Sequence, residues 1–317
     1  MLYFILFLAL LALTVKGYSG KRVSTYVRDA ADTYAFNLLR MCFCVIIGLC
    51  MVFFENSQEF LFPEVKMLAI CLLSGISNAS FLVFWMLAIR VNSMVSVDVG
   101  LTLGSLIPSV LCLVLFGEEF SLLKMLGFAV ILASTFILSG GGSNDKKKKL
   151  SGILLLILAA VGDGMSGFSQ QLYRQYYTAS GSISGDMYYP KTVFHLYTYV
   201  FAAIVLFAVL IGYRIFMRKE IKDVTSGSSE IRKRALTARA VIHIFIMAVC
   251  LFAANYLQTV ATSDYNLSSQ IMYPVIRGGC LVTVNIVAMI FFGERITRRS
   301  IVGSLVAVLG ILIMSVI

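Results

Sequence analysis

The chain has 317 residues, 59% of them hydrophobic and 13% charged, with a net charge of +10 and a mean hydropathy of +0.91. A soluble chain of this length needs far more polar side chains to cover its surface, so a soluble enzyme or binding domain is excluded. The basic residues sit between apolar runs, which points to charged loops of a membrane protein and not to a nucleic-acid surface.

A helix needs about 20 mostly apolar residues to cross the hydrocarbon core. Ten runs of that kind follow one another: 2–25, 34–54, 66–90, 94–116, 122–140, 152–176, 192–216, 239–262, 267–292 and 299–317. Local chemistry marks the breaks. Residues 55–63 are acidic and end in proline, 140–149 hold three glycines and four lysines, 178–190 are rich in Ser, Gly and Tyr, and 218–234 are the most charged stretch. The first run is short in its apolar part, like a signal peptide, but it lacks a basic leader and a small-residue cleavage site, so a retained helix is expected. Cys42, Cys44, Cys50, Cys71, Cys112, Cys250 and Cys280 all lie inside apolar runs. Their spacing suits neither a zinc site nor a disulfide framework, and buried small hydrophobes are the expectation.

The chain repeats itself. Phe116-Gly117-Glu118 is followed by Gly127, and Phe292-Gly293-Glu294 by Gly303, at an offset of 176 residues. The same offset sets Val91-Asn92-Ser93 on Leu267-Ser268-Ser269. Earlier in each half, Gly17-Tyr18-Ser19 falls on Gly167-Phe168-Ser169 and Phe36-Asn37-Leu38 on Phe194-His195-Leu196, at offsets of 150 and 158. Two five-helix halves are expected, 1–140 and 152–317, joined by a basic linker at 141–151. After five crossings the second half enters the membrane from the opposite side, so the halves form an inverted repeat. That arrangement is typical of carriers with a midplane site between the halves.

These residues resemble the drug/metabolite transporter superfamily, specifically its ten-helix EamA-type branch, over essentially the whole chain. The family's glutamate at the end of helix four of each half, then a glycine in the next helix, is matched by Glu118 with Gly127 and Glu294 with Gly303. Arg40 fits the basic residue often found in helix two, and Gly17 with Lys21 resembles the glycine and lysine of helix one. The resemblance implies an all-α fold of ten helices and a central cavity formed by helices one, three, four, six, eight and nine. It implies transport of amino acids, sugars, nucleotide sugars or drugs without naming which, and the cytoplasmic membrane of a bacterium as the location.

Ionisable groups inside spans are costly, about 2.5–3.5 kcal/mol each on insertion scales, and usually face a cavity or a partner. Lys16 and Arg22 are expected to snorkel toward headgroups, while Lys21 either does the same or attracts an anion. Asp98, set opposite Pro274 by the repeat, would bind a cation or carry a proton, or else pair with Arg90 or Arg40. Arg277 would grip a carboxylate or phosphate, or pair with Asp98 or Asp264. Tyr273-Pro274 is expected to mark an irregular turn, since proline removes a donor. Asp163, within Gly162-Asp163-Gly164, would touch substrate or pair with a lysine of helix one. Asn78, Gln170, Gln171, Asn255 and Gln258 together suggest a wet cavity, though each alone is more often interhelical glue. Trp85 is expected as an interface anchor, and His195 as a packing residue. Glu118 and Glu294 are expected to be structural.

Lys and Arg number 20 on the loops of one side, counted from Lys16, and 4 on the other. This places both termini outside, whereas several relatives of the family have both in the cytoplasm. The reading is a secondary carrier of a small polar solute, with an amino acid or similar zwitterion preferred because basic and acidic groups occur together. A proton-coupled exporter of cationic drugs and a lipid-modifying membrane enzyme are the alternatives; no HExxH, paired histidines or GxSxG supports the enzyme, and two inverted halves argue against a channel. No cofactor, metal or nucleic acid is expected. The partners are a small-molecule substrate and membrane lipids, with a monomer sufficient and a dimer left open.

Overall fold

The computed structural model describes residues 1–92, 94–117, 121–139, 146–177, 188–221, 237–293 and 298–315. Every regular element among them is a helix: α1 Leu2–Ser24, α2 Ala30–Phe54, a 3-10 turn Gln58–Phe60, α3 Val65–Val91, α4 Met94–Gly104, α5 Leu106–Phe116, α6 Leu122–Ser139, α7 Lys146–Tyr177, α8 Lys191–Ile221, α9 Ala238–Ser263, α10 Ser269–Phe292 and α11 Arg298–Ser315. Seven of them are long and apolar enough to cross a membrane. The chain is an all-helical, multi-pass membrane protein. Large apolar side chains such as Phe4, Ile46, Phe207, Ile290 and Leu305 stay exposed around the bundle, the surface expected of helices facing lipid. The shorter α6 and α11, 18 residues each, rise about 27 Å.

Helix limits follow local chemistry. Asp29 caps α2, its carboxylate accepting from the Asp32 N–H at 2.8 Å, and Thr237 caps α9 through the Ala240 N–H at 3.3 Å. Gly117 and Gly293 end α5 and α10 in the left-handed conformation, at φ +63° and +62°, which a side chain would strain. Their neighbours Glu118 and Glu294 lie outside the described residues, whereas Gly127 and Gly303 are buried in α6 and α11.

The expectations need three corrections. The run 94–116 is two helices, broken at Ser105. Pro108 has no N–H for the Gly104 carbonyl, and the hydroxyls of Ser105 and Ser109 donate to the carbonyls of Thr102 and Ser105 at 2.7 and 3.1 Å. The irregular turn expected at Tyr273-Pro274 is absent, because α10 runs through Pro274. Finally, α7 begins at Lys146, so part of the stretch expected to be a linker is helix.

The dominant packing pairs are α3 with α7, α1 with α9, α6 with α11 and α2 with α8; α4 packs on α7 and α10, and α1 on α10. The bundle has two ends. At the first, Glu55 accepts from Thr192 Oγ1 at 2.9 Å and Tyr256 Oη at 2.8 Å, and Lys191 pairs with Asp264 at 2.9 Å. At the second, Arg90 donates to the Arg28 carbonyl at 3.2 Å and Lys21 to the Ile89 carbonyl at 3.1 Å.

Candidate functional site

Glycines bring the central helices together and leave room for charge between them. On α7, a Cβ at Gly162 would stand 2.7 Å from the Phe81 backbone of α3, and one at Gly164 2.5 Å from the Gly104 carbonyl oxygen of α4. Asp163 sits between these two contacts. The α3–α7 and α4–α7 crossings therefore fix its carboxylate. On α1, Gly17 and Gly20 present a bare face, and the Trp85 indole fills the space beside Gly20.

Two small chambers of about 20 Å³ each, room for little more than a water molecule, lie in the middle of the bundle. One is nearer the first end and is lined by Asn78, Phe81, Asp163, Ser166, Gly167, Gln170, Leu251, Asn255, Gln258 and Tyr273. The other is nearer the second end and is lined by Gly17, Trp85, Ile89, Met94, Val97, Asp98, Leu101, Cys280 and Val284. Leu13, Lys16 and Arg277 line both. The walls come from α1, α3, α4, α7, α9 and α10, which are spans one, three, four, six, eight and nine.

Charge is concentrated at the shared wall. Arg277 pairs with Asp163 in an ion pair whose side chains are 11% and 14% exposed. The Lys16 ammonium stands 5.0 Å from the Phe81 ring centre and 5.5 Å from that of Trp85, and makes no hydrogen bond or ion pair among the described residues. Cation–π attraction holds it there, with longer-range charge attraction to Asp163 and Asp98. Asp98 reaches the second chamber, and its Oδ2 is buried with no hydrogen-bond partner.

The first chamber is lined by neutral amides and hydroxyls, largely tied down from behind. Asn78 donates to Ser166 Oγ at 2.8 Å and to the Ser74 carbonyl at 3.0 Å. The Tyr273 hydroxyl donates to the Gly167 carbonyl at 2.7 Å and lies 3.3 Å from Gln170 Oε1. Asn255 donates to Tyr199 Oη at 3.0 Å. Gln258 lines the chamber with no hydrogen bond from its own side chain among the described residues.

Of the residues singled out in the sequence, Asn78, Asp98, Asp163, Asn255, Gln258, Tyr273 and Arg277 meet at these chambers, with Gln170. Three do not. Lys21 caps the last turn of α3, its ammonium donating to the carbonyls of Ile89 and Asn92 at 3.1 and 3.5 Å. Arg40 is buried behind Trp85, hydrogen-bonded to Asn37 and 5.6 Å from the indole centre. Gln171 is buried outside both chambers beside Arg174. The partners expected for the acidic and basic groups also change: Arg277 takes Asp163, while Asp264 takes Lys191. His195 packs between helices, sharing a hydrogen bond of 3.0 Å with Thr259.

Two lining residues were expected elsewhere. Lys16 does not snorkel but is 4% exposed at the chamber wall, and Trp85 is 3% exposed and not an interface anchor. A pattern in the sequence points to both. Leu13, Lys16, Gly17 and Gly20 share one face of α1, and Asn78, Phe81 and Trp85 one face of α3, at helical spacing.

No family model matches the sequence, and no curated protein matches it. One solved crystal structure superposes with a TM-score of 0.68 over 99% of this chain and 96% of its own, at 12% sequence identity. At that identity the likeness shows the fold alone.

Proposed function

We propose that the chain is a secondary carrier that moves a small polar metabolite, preferably an amino acid or similar zwitterion, across the membrane by alternating access. The observation that carries this reading is the shared wall. Lys16 and Arg277 stand between two chambers, one toward each end of the bundle, so a solute held there could leave either way once the helices part to enlarge them. Unpaired Lys16 suits the solute's carboxylate, and the partnerless Asp98 oxygen suits its ammonium.

An inverted repeat supports the mechanism. Exchanging α1 with α7, α2 with α8, α3 with α9, α4–α5 with α10 and α6 with α11 turns the α3–α7 pair into the α9–α1 pair, and returns α2–α8, α6–α11 and α4–α10 to themselves. The chambers follow the same exchange. Gly17, Val97 and Leu101 of one fall, at offsets of 150, 176 and 176, on Gly167 and Tyr273 of the other and on Arg277, which lines both. Two halves related in this way supply two arrangements of similar energy, each open to one side. With Lys16 inside the bundle the loop charge still falls mainly at the second end, which favours a cytoplasmic second end with both termini outside. The halves, the EamA-type resemblance and the bacterial cytoplasmic membrane belong to this same reading.

Counterflow in proteoliposomes tests it. Vesicles preloaded with pooled amino acids, sugars, nucleotide sugars or cationic drugs are given the matching labelled tracer. Accumulation with the amino-acid pool is the expected result. Accumulation with the cationic pool alone would move the reading to a cation exporter, and none with any pool, from folded and inserted protein, would sink it.

A further inference from the structure

We propose that Asp98 is a proton-binding site, and that its proton is exchanged for Arg277, which swings from Asp163 to Asp98 when the proton leaves. This rests on the carrier reading and deepens it by naming the coupled ion.

The geometry has three parts. First, Arg277 borders both chambers, while its present partner Asp163 belongs to one and Asp98 to the other. One guanidinium thus stands between two carboxyl groups and is bound to only one of them. Second, Asp98 receives no hydrogen bond or ion pair from any described residue, and its Oδ2 has no exposed surface. An ionised carboxylate left so inside a bundle is strongly disfavoured, whereas the neutral acid is tolerated. Third, Asp98 lies on a short helix, since α4 stops at Ser105 two turns further on and packs on α7 across two glycines, Gly104 and Gly164.

The groups facing Asp98 are few. Lys16 comes from α1, Arg277 and the Cys280 thiol from α10, and Asp163 from α7. α3 adds only Trp85 and Ile89 to this chamber. The one ionisable residue of α6 in sequence, Lys124, belongs to that helix's first turn, at the other end of the bundle.

In the arrangement seen here Asp98 holds the proton and Asp163 is the anion that pairs with Arg277. In the other, Asp98 releases its proton to the second chamber and takes Arg277, and Asp163 takes up a proton from the first. One proton is lost and one gained, so the charge of the cluster is the same in both. Lys16 stays on its aromatic seat throughout. The swing moves the cation that borders both chambers, which ties proton movement to which chamber is accessible.

Infrared spectroscopy of the purified full-length chain in lipid nanodiscs at neutral pH tests this without any substrate. The readout is the C=O stretch of a protonated carboxylic acid, taken as the difference between the parent and each variant. The expected result is a band that Asp98→Asn removes and Asp98→Glu restores at a shifted position, the latter guarding against a misfolded asparagine variant. Asp163→Asn should also remove it, because Arg277 is then released to Asp98. Arg277→Gln should add a second band, because Asp163 loses its partner. A parent spectrum identical to that of Asp98→Asn would overturn the proton site, and an Asp98 band untouched by Asp163→Asn would overturn the exchange. A band that behaves as expected in protein that fails every counterflow pool would reject the carrier and leave the proton site standing.

Discussion

The indole of Trp85 lies against the bare backbone of Gly20, so closely that a Cβ on Gly20 would stand 2.1 Å from the ring's Cη2. Trp85 is only 3% exposed, with Lys16 and Arg40 each near its ring. A rigid ring cannot turn aside as a flexible side chain would. Gly20→Ala should push the indole into the second chamber and destabilise the fold by about 1–3 kcal/mol. Trp85 is the only tryptophan of the chain, so a shifted fluorescence maximum and a lowered unfolding midpoint report the two effects together. An unchanged spectrum would mean that the ring is not where it is placed here.

Lys16 is seated on Phe81 and Trp85 and makes no ion pair among the described residues. Replacing it by methionine keeps the apolar stem in place and removes only the charge. Lys16→Met should therefore keep the unfolding midpoint within a few degrees. Exchange of the solute found by counterflow should fall by roughly tenfold or more, since a buried charge–charge contact to a ligand is worth about 2 kcal/mol or more. Undiminished exchange would remove Lys16 from the site. Lys16→Arg should recover part of the activity, because a guanidinium can occupy the same aromatic seat.

The Arg277–Asp163 pair gives a different signature. Both side chains are largely buried, and removing one partner of such a pair typically costs about 3–5 kcal/mol because the other charge is stranded. Replacing both by apolar residues is often neutral. Arg277→Met should accordingly be much less stable than Arg277→Met with Asp163→Leu, while both are inactive. Thermal unfolding in detergent measures this. Equal midpoints for the two would show that the pair is not coupled in the folded protein.

Much of the architecture was legible in the sequence because membrane helices announce themselves by length and apolarity. The ends of the predicted spans fall within six residues of the observed helices, with the span 94–116 divided in two. Proline was the poorer guide. Pro274 looked like the helix breaker, yet the chain breaks at Ser105, where Gly104, Ser105 and Pro108 together replace backbone hydrogen bonds by hydroxyl ones. Lys16 was misread for a related reason. A basic residue late in an apolar run looks like one reaching for headgroups, and only the small residues on its own face, Gly17 and Gly20, show that this side of α1 meets other helices. Which carboxylate takes Arg277 could not be read at all, since Asp98, Asp163 and Asp264 lie on three different helices or their ends.

The first end of the bundle is closed by hydrogen bonds between the halves, and these should govern access to the first chamber. The segment from Glu55 to Glu64 belongs to the first half. Glu55 accepts from Thr192 at 2.9 Å and Tyr256 at 2.8 Å, Glu64 accepts from the Tyr177 hydroxyl, and the Tyr197 hydroxyl donates to the Leu61 carbonyl. Glu55→Ala and Tyr177→Phe together remove three bonds to charged acceptors. With Glu55 exposed, these are worth about 0.5–1 kcal/mol each, so the open population should rise by roughly tenfold or more. Gln258, in the first chamber, is the reporter position. With Gln258→Cys present, Glu55→Ala and Tyr177→Phe together should speed labelling by a small water-soluble thiol reagent by about that factor, with the chain lacking Gln258→Cys as the blank. Lys191→Ala, which breaks a pair whose aspartate is 46% exposed, should change labelling little, because such surface pairs are worth at most about 1 kcal/mol. Equal labelling in all three would mean that the tyrosine–glutamate contacts do not hold this end shut.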